Sequence, residues 1–178
     1  VLITSGGTVI HYAPELTEDS AWTRHIEKQW TPKVVRRVLE DLPGLVLQPK
    51  KEQSRFKISY YYDPEKAPSL DEINRLLHQE EQAVNVILSF GQFLDVLPIR
   101  ASKGLALRYL AAQWDLPLEQ ILVAGGSGAD EDMMRGNTLA VVVGNRHNEE
   151  LSQLAELERI YFAEAPGAAG ILEAIEHY

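Results

Sequence analysis

The sequence predicts an α/β protein: a parallel-sheet core with an inserted α+β lobe. Three observations lead there. After Pro98, unbroken apolar strands such as Leu139–Val143 alternate with helical segments, as in a parallel sheet covered on both faces. Residues 14–98 instead show paired helices among antiparallel-looking strands. A buried strand ending at Ala124 runs into Gly125-Gly126-Ser127-Gly128, where open α/β sheets bind ligands. Residues 1–13 and 99–178 are therefore assigned to the core, and 14–98 to the inserted lobe.

The elements follow in order. Val1–Thr4 is a short β-branched run, Ser5-Gly6-Gly7-Thr8 supplies a turn, and Val9–Tyr12 resumes an extended pattern. A loop containing Pro14 leads to Ser20, which is expected to cap a helix through about Trp30. Thr31-Pro32 offers an N-cap with proline at the first helical position, and Val34, Val35, Val38, Leu39 and Leu42 recur at helical spacing. Leu45–Leu47 and Phe56–Tyr62 read as strands. Pro68-Ser69 opens a helix with Ile73, Leu76 and Leu77 on its apolar face. Ala83–Phe90 and Phe93–Leu97 form a hairpin turning at Gly91-Gln92. In the core, Ser102 caps a helix reaching Trp114, Ile121–Ala124 is a strand, and an acidic helix start follows. Leu139–Val143 and Ile160–Phe162 are further strands, and Gly167–His177 is a terminal helix.

Composition narrows the function. With 17 Lys and Arg against 26 Asp and Glu, the net charge of −9 disfavours a general nucleic-acid binder or a polybasic membrane surface. No apolar run approaches the roughly 20 residues of a transmembrane helix, and the start at Val1 lacks the features of a signal peptide. The absence of cysteine excludes disulfides, thiolate metal sites and thiol nucleophiles, and agrees with a cytoplasmic location. The five histidines show no metal-ligand spacing.

Gly125–Asp130 has two readings: a βα turn whose acids complement a helix dipole, or a loop that approaches a phosphate or divalent cation. Its spacing is neither a dinucleotide fingerprint nor a P-loop. Lys103, in the first turn after Ser102, is either an ordinary surface lysine or a phosphate-binding one. Lys57 and Ser59 share one face of a strand, and Asp95 lies on a later strand. They read either as a solvated sheet face or as a surface that recognises sugar hydroxyls. Tyr60, Tyr61 and Tyr62 are strand aromatics that could also stack on a sugar.

Taken in order, Ile3-Thr4-Ser5-Gly6-Gly7-Thr8, Phe56-Lys57-Ile58-Ser59-Tyr60, Asp95-Val96-Leu97-Pro98, Ser102-Lys103-Gly104 and Gly125-Gly126-Ser127-Gly128-Ala129-Asp130 resemble sucrose-phosphate phosphatase. They also resemble the phosphatase-like C-terminal domain of sucrose-phosphate synthase; both belong to the haloacid dehalogenase superfamily. The resemblance implies a haloacid-dehalogenase-like core with residues 14–98 as its α+β cap. It also implies a sucrose 6-phosphate ligand, Mg²⁺ where the domain is active, and an aspartate nucleophile. Lys103 and Asp130 become the catalytic candidates, with Lys103, Ser127 and Gly128 as phosphate binders. Lys57, Ser59 and Asp95 become the sugar-facing residues, and Asp130 the remaining metal ligand.

Two departures bear on activity. Gly126 stands where the family places a metal-ligating Asp, and Ala129 where it places an Asn. The nucleophile motif Asp-x-Asp-x-Thr is absent from the 178 residues, so the expected core lacks its first two strands. The resulting expectation is a phosphatase-like domain of a bacterial sucrose-phosphate synthase, silent as a phosphatase. Such a domain would bind sugar phosphate, stabilise its parent, or dock a partner, with the glycosyltransferase domain of the same parent chain beside it. The alternatives are a fragment of an active Mg²⁺-dependent sucrose-6-phosphate phosphatase and a noncatalytic interaction module.

Overall fold

Ser5-Gly6-Gly7 folds the chain back on itself, with Gly6 at φ 71°, a value that glycine adopts at little cost. Strands β1 (Leu2–Thr4) and β2 (Val9–Tyr12) thus pair antiparallel, Leu2 opposite His11 and Thr4 opposite Val9. A third strand, β3 (Thr17–Glu18), pairs with β2 inside the stretch expected to be a loop. The computed structural model describes residues 1–147, 151, 154–155 and 157–178. The chain divides into two units, Val1–Ser102 and Lys103–Tyr178.

In the first unit, helix α1 (Ser20–Ile26) is capped by Asp19, not Ser20: one Asp19 carboxylate oxygen accepts from the N–H groups of Ala21 and Trp22 at 2.9 and 2.8 Å. The helix ends before Trp30, with Gln29 at φ 66°, and Trp30 packs against the unit's core instead. Helix α2 (Pro32–Leu39) begins at the proline as expected, but the Thr31 hydroxyl bonds to Gln82 and does not cap the helix.

Strands β4 (Leu45–Leu47), β5 (Ile58–Tyr62), β6 (Val84–Ser89) and β7 (Phe93–Pro98) form an antiparallel sheet in the order β4-β5-β7-β6. The β6–β7 turn has Phe90 and Gly91 both at positive φ, matching the right-handed twist of the strands it joins. Helix α3 (Leu70–Gln79) is capped by Ser69, whose hydroxyl accepts from the Glu72 N–H at 3.2 Å.

The side-chain period of two then divides the sheet. Ile58, Tyr60, Leu94 and Val96 meet Val35 and Leu39 of α2 and Ile73 and Leu77 of α3 in one buried core. Ser59, Tyr61, Phe93 and Asp95 are left on the opposite face. The three tyrosines part company: Tyr60 is buried in the core, the Tyr62 hydroxyl donates to the Pro68 carbonyl at 3.0 Å, and Tyr61 is exposed beside Phe93.

The second unit contains α4 (Lys103–Gln113), β8 (Leu122–Gly125), α5 (Glu131–Met134), β9 (Leu139–Val142), β10 (Ile160–Phe162) and α6 (Gly167–His177). Its strands are parallel in the order β10-β9-β8, as their apolar runs predict. Val123, Ala140 and Val142 pack with Met134, Leu151 and Leu154 on one face. Val141 packs with Ala163 and Ala174 of the α6 side on the other. Both faces are covered, which is why these strands do not alternate with polar residues. No helix among the described residues is long and apolar enough to cross a membrane.

Candidate functional site

Each unit gathers one set of the predicted residues. On the open face of the four-stranded sheet, the register sets Ser59 opposite Asp95. The Ser59 hydroxyl donates to Asp95 Oδ1 at 2.5 Å and accepts from Lys57 Nζ at 2.7 Å, with Lys57 Nζ 3.5 Å from the same carboxylate oxygen. Ser59 is fully buried, whereas the Lys57 and Asp95 side chains are 16% and 29% exposed. Lys57 and Asp95 keep some exposed surface, and the buried Ser59 hydroxyl ties their charged ends together. Sequence reasoning missed Gln53. Its side-chain oxygen accepts from the Ser59 N–H at 2.9 Å, and its amide donates to the Ser59 and Gln48 carbonyls at 2.9 and 3.0 Å. That amide fastens the polar stretch before β5 to the strand. Its only signal in the sequence was a glutamine among charged residues.

In the second unit, Lys103 at the start of α4 reaches Asp130, Nζ to Oδ1 at 2.6 Å. The other oxygen, Oδ2, accepts from the Gly126 N–H at 3.0 Å and from the N–H and hydroxyl of Ser127, both at 3.1 Å. Burial pushes the Asp130 carboxyl up. The hydrogen bond and charge of Lys103 and the two backbone N–H groups outweigh it and hold the group below the ordinary carboxylate range. Gly128 opens the single 3-10 turn Gly128–Asp130 that brings the carboxylate back over the loop.

This close return explains Gly125. A Cβ there would lie 2.4 Å from Asp130 Cβ. Gly125→Ala is expected to cost about 1–3 kcal/mol through overpacking, read as a lower urea midpoint with an unchanged slope.

The neighbouring acids are engaged as well. Asp132 accepts from the Gly104 N–H at 2.7 Å, and Arg108 donates to the Asp132 carbonyl at 2.7 Å. Glu131 is held by Arg135 at 2.5 and 2.8 Å. A Cβ at Gly126 would lie 3.0 Å from Val143 Cγ2, a tight contact that a shift of a few tenths of an ångström in the valine would relieve.

Mg²⁺ takes carboxylate oxygens in strict octahedral geometry. Here Asp130 spends both oxygens on internal donors, and no group of three or more Asp, Glu or His side chains suited to a metal occurs among the described residues. As arranged, these residues do not fit a Mg²⁺ site, so no chemical step is routed through one. What the loop keeps near its surface is the Lys103 side chain, 38% exposed, with its ammonium on Asp130 and the Gly126 and Ser127 N–H groups on the same carboxylate.

A family model described as sucrose-6F-phosphate phosphohydrolase matches residues 1–178. Mannosylfructose-phosphate phosphatase of Agrobacterium fabrum is 28% identical over 99% of this chain and 72% of its own length. Sucrose-phosphatase 1 of Nicotiana tabacum is 31% identical over the whole of this chain, which spans only 44% of that relative. Among solved structures, the sucrose-phosphatase of Synechocystis sp. PCC6803 in complex with sucrose and phosphate superposes with a TM-score of 0.90 and is 31% identical. The match covers 97% of this chain and 71% of that one. The mixed α/β fold agrees with this likeness, and the chain belongs to the sucrose-6F-phosphate phosphohydrolase family of the haloacid dehalogenase superfamily.

Proposed function

We propose that this chain is a sugar-phosphate-binding domain, with residues 14–98 as the cap, that holds sucrose 6-phosphate or a close analogue without hydrolysing it. The observation that carries this reading is the contrast between the two clusters. Lys57, Ser59 and Asp95 form a complete hydrogen-bonded set on an open sheet face. The loop at Gly126 lacks a carboxylate, and its remaining Asp130 is spent internally. Lys57 and Asp95 supply a donor and an acceptor suited to vicinal hydroxyls. Tyr61 and Phe93, with ring centroids 6.2 Å apart on the same face, supply an apolar surface for a sugar ring. Lys103, Ser127 and Gly128 are assigned to the phosphate.

The finer setting proposed is a sucrose-phosphate synthase in the cytoplasm, with the glycosyltransferase domain of the same parent chain as partner. The second reading is a piece of a working Mg²⁺-dependent phosphatase whose nucleophile lies outside these 178 residues. The matched relatives' names favour it, and the loop at Gly126 speaks against it. Calorimetry tests the binding claim: sucrose and sucrose 6-phosphate should both bind saturably, the phosphate ester more tightly. Absence of heat with either sugar would leave only a noncatalytic interaction module.

A further inference from the structure

The cations of this acidic chain are not evenly spread. Nine of its 17 basic residues but only four of its 26 acidic ones fall between Arg24 and Lys57. Some of these have partners: Arg37 meets Glu80 at 2.5 Å, and Arg55 pairs with Glu27. Lys33, Arg36 and Lys50 form no ion pair among the described residues. Lys33 lines a groove of about 440 Å³ beside α2, Lys50 lines an adjoining one of about 460 Å³, and Arg36 and Leu47 line both.

Arg36 is only partly exposed. A guanidinium left without a carboxylate in a chain with this many acids is set up to receive an anion. The apolar side of the first groove is Leu45, Leu47 and the buried Tyr60. Arg36 and Glu40 line the same groove as Tyr60, whose hydroxyl is pushed up by burial, against the Arg36 charge and with that of Glu40. The second groove is lined in part by Ser54, whose hydroxyl oxygen is buried and has no hydrogen-bond partner. An orphaned buried hydroxyl costs about 1–3 kcal/mol, so this wall of the groove carries an unmet polar group.

We propose that this groove is a second anion site that takes a phosphorylated small molecule, its phosphate on Arg36, Lys33 and Lys50 and its organic part over Leu45 and Leu47. A dianionic head suits adjoining grooves with Arg36 common to both, Lys33 on the first and Lys50 on the second, and Arg can grip phosphate with two parallel hydrogen bonds. The volumes suit a small organic ligand. A docked strand suits the place less well. Pro43 and Pro49 bracket β4, and the short edge between them is flanked by the same cations, a combination that discourages edge pairing. Glu40 lines the first groove and sets a limit on the negative charge accepted there. The groove linings do not include Lys57, Ser59 or Asp95, although Gln53 of the second groove also holds the Ser59 backbone, and the proposal does not depend on that cluster's function.

The test is a two-dimensional amide NMR titration at constant ionic strength, with inorganic phosphate and glucose 6-phosphate as probes. Saturable shifts at Arg36, Lys50 and Ser54 are expected with both, with the ester binding more tightly. Arg36→Ala should weaken binding read at Lys50 and Ser54 at least tenfold, while Lys103→Ala leaves the shifts at Arg36, Lys50 and Ser54 unchanged. Three outcomes would overturn the proposal. Shifts that track sodium chloride equally would mean general screening. Loss of those shifts in Lys103→Ala would assign the anion to the loop already described. Intact phosphate binding in Arg36→Ala, with new concentration-dependent self-association, would make these cations edge guards and nothing more.

Discussion

Replacing Asp130 with alanine is expected to destabilise the second unit by about 2–4 kcal/mol at neutral pH. Four donors lose their acceptor at once: Lys103 Nζ, the N–H groups of Gly126 and Ser127, and the Ser127 hydroxyl. The lysine contributes the smaller part, because its side chain is 38% exposed and water can replace the carboxylate there. The buried donors of Ser127 contribute more, since the residue is only 6% exposed. The sign with pH follows from the depressed carboxyl. Asp130 contributes its full stabilisation above the ordinary value of about 3.9, and loses it as pH falls through the lower folded-state value. Urea midpoints of wild type and Asp130→Ala should therefore differ most at pH 7 and converge as the solution is acidified. A gap that stays constant into strong acid would mean that the ionised carboxylate is not what holds the loop.

Asp95→Ala should weaken sucrose binding by 10- to 100-fold, the range expected when hydrogen bonds to a charged group of about 1.5–3 kcal/mol are lost. Asp95 is both an outward acceptor and the anchor of Ser59 and Lys57, so its removal also frees the lysine. Ser59→Ala acts only through its neighbours, because Ser59 has no exposed surface. Its effect should be smaller and should fall equally on every sugar tested. Calorimetric titrations of the two variants check this ordering. A Ser59→Ala loss equal to that of Asp95→Ala would point to direct contact between the serine and the sugar.

Much of the fold is legible because its signals are local. The apolar runs at Leu122–Gly125 and Leu139–Val142 mark the parallel strands, and Pro32 and Ser69 mark helix starts. Errors arise where a neighbour in space decides. Asp19 outcompetes Ser20 as a cap because it lies one residue earlier, and Tyr12 donates to its second oxygen. Strand β3 has no apolar pattern of its own and exists by pairing with β2. The expected strand from Phe56 begins at Ile58, since Ser54 and Lys57 first close a small bridge.

The site was legible as residue types but not as geometry. Alternation put Lys57 and Ser59 on one face. Nothing in the sequence showed that Ser59 would be buried beneath the charges, or that Asp130 would turn both oxygens inward. The contacts to Lys103 and from Lys57 to Asp95 span 27 and 38 residues, beyond the reach of any pattern in a short window, whereas Asp130 Oδ2 is held locally by Gly126 and Ser127.

The central claim is that sucrose 6-phosphate is held and not hydrolysed. ³¹P NMR of the ester with Mg²⁺ and the longest native chain containing these 178 residues tests it in one measurement. The ester signal should shift and broaden saturably while inorganic phosphate stays at the level of the protein-free control. Steady growth of inorganic phosphate with repeated turnover would contradict it.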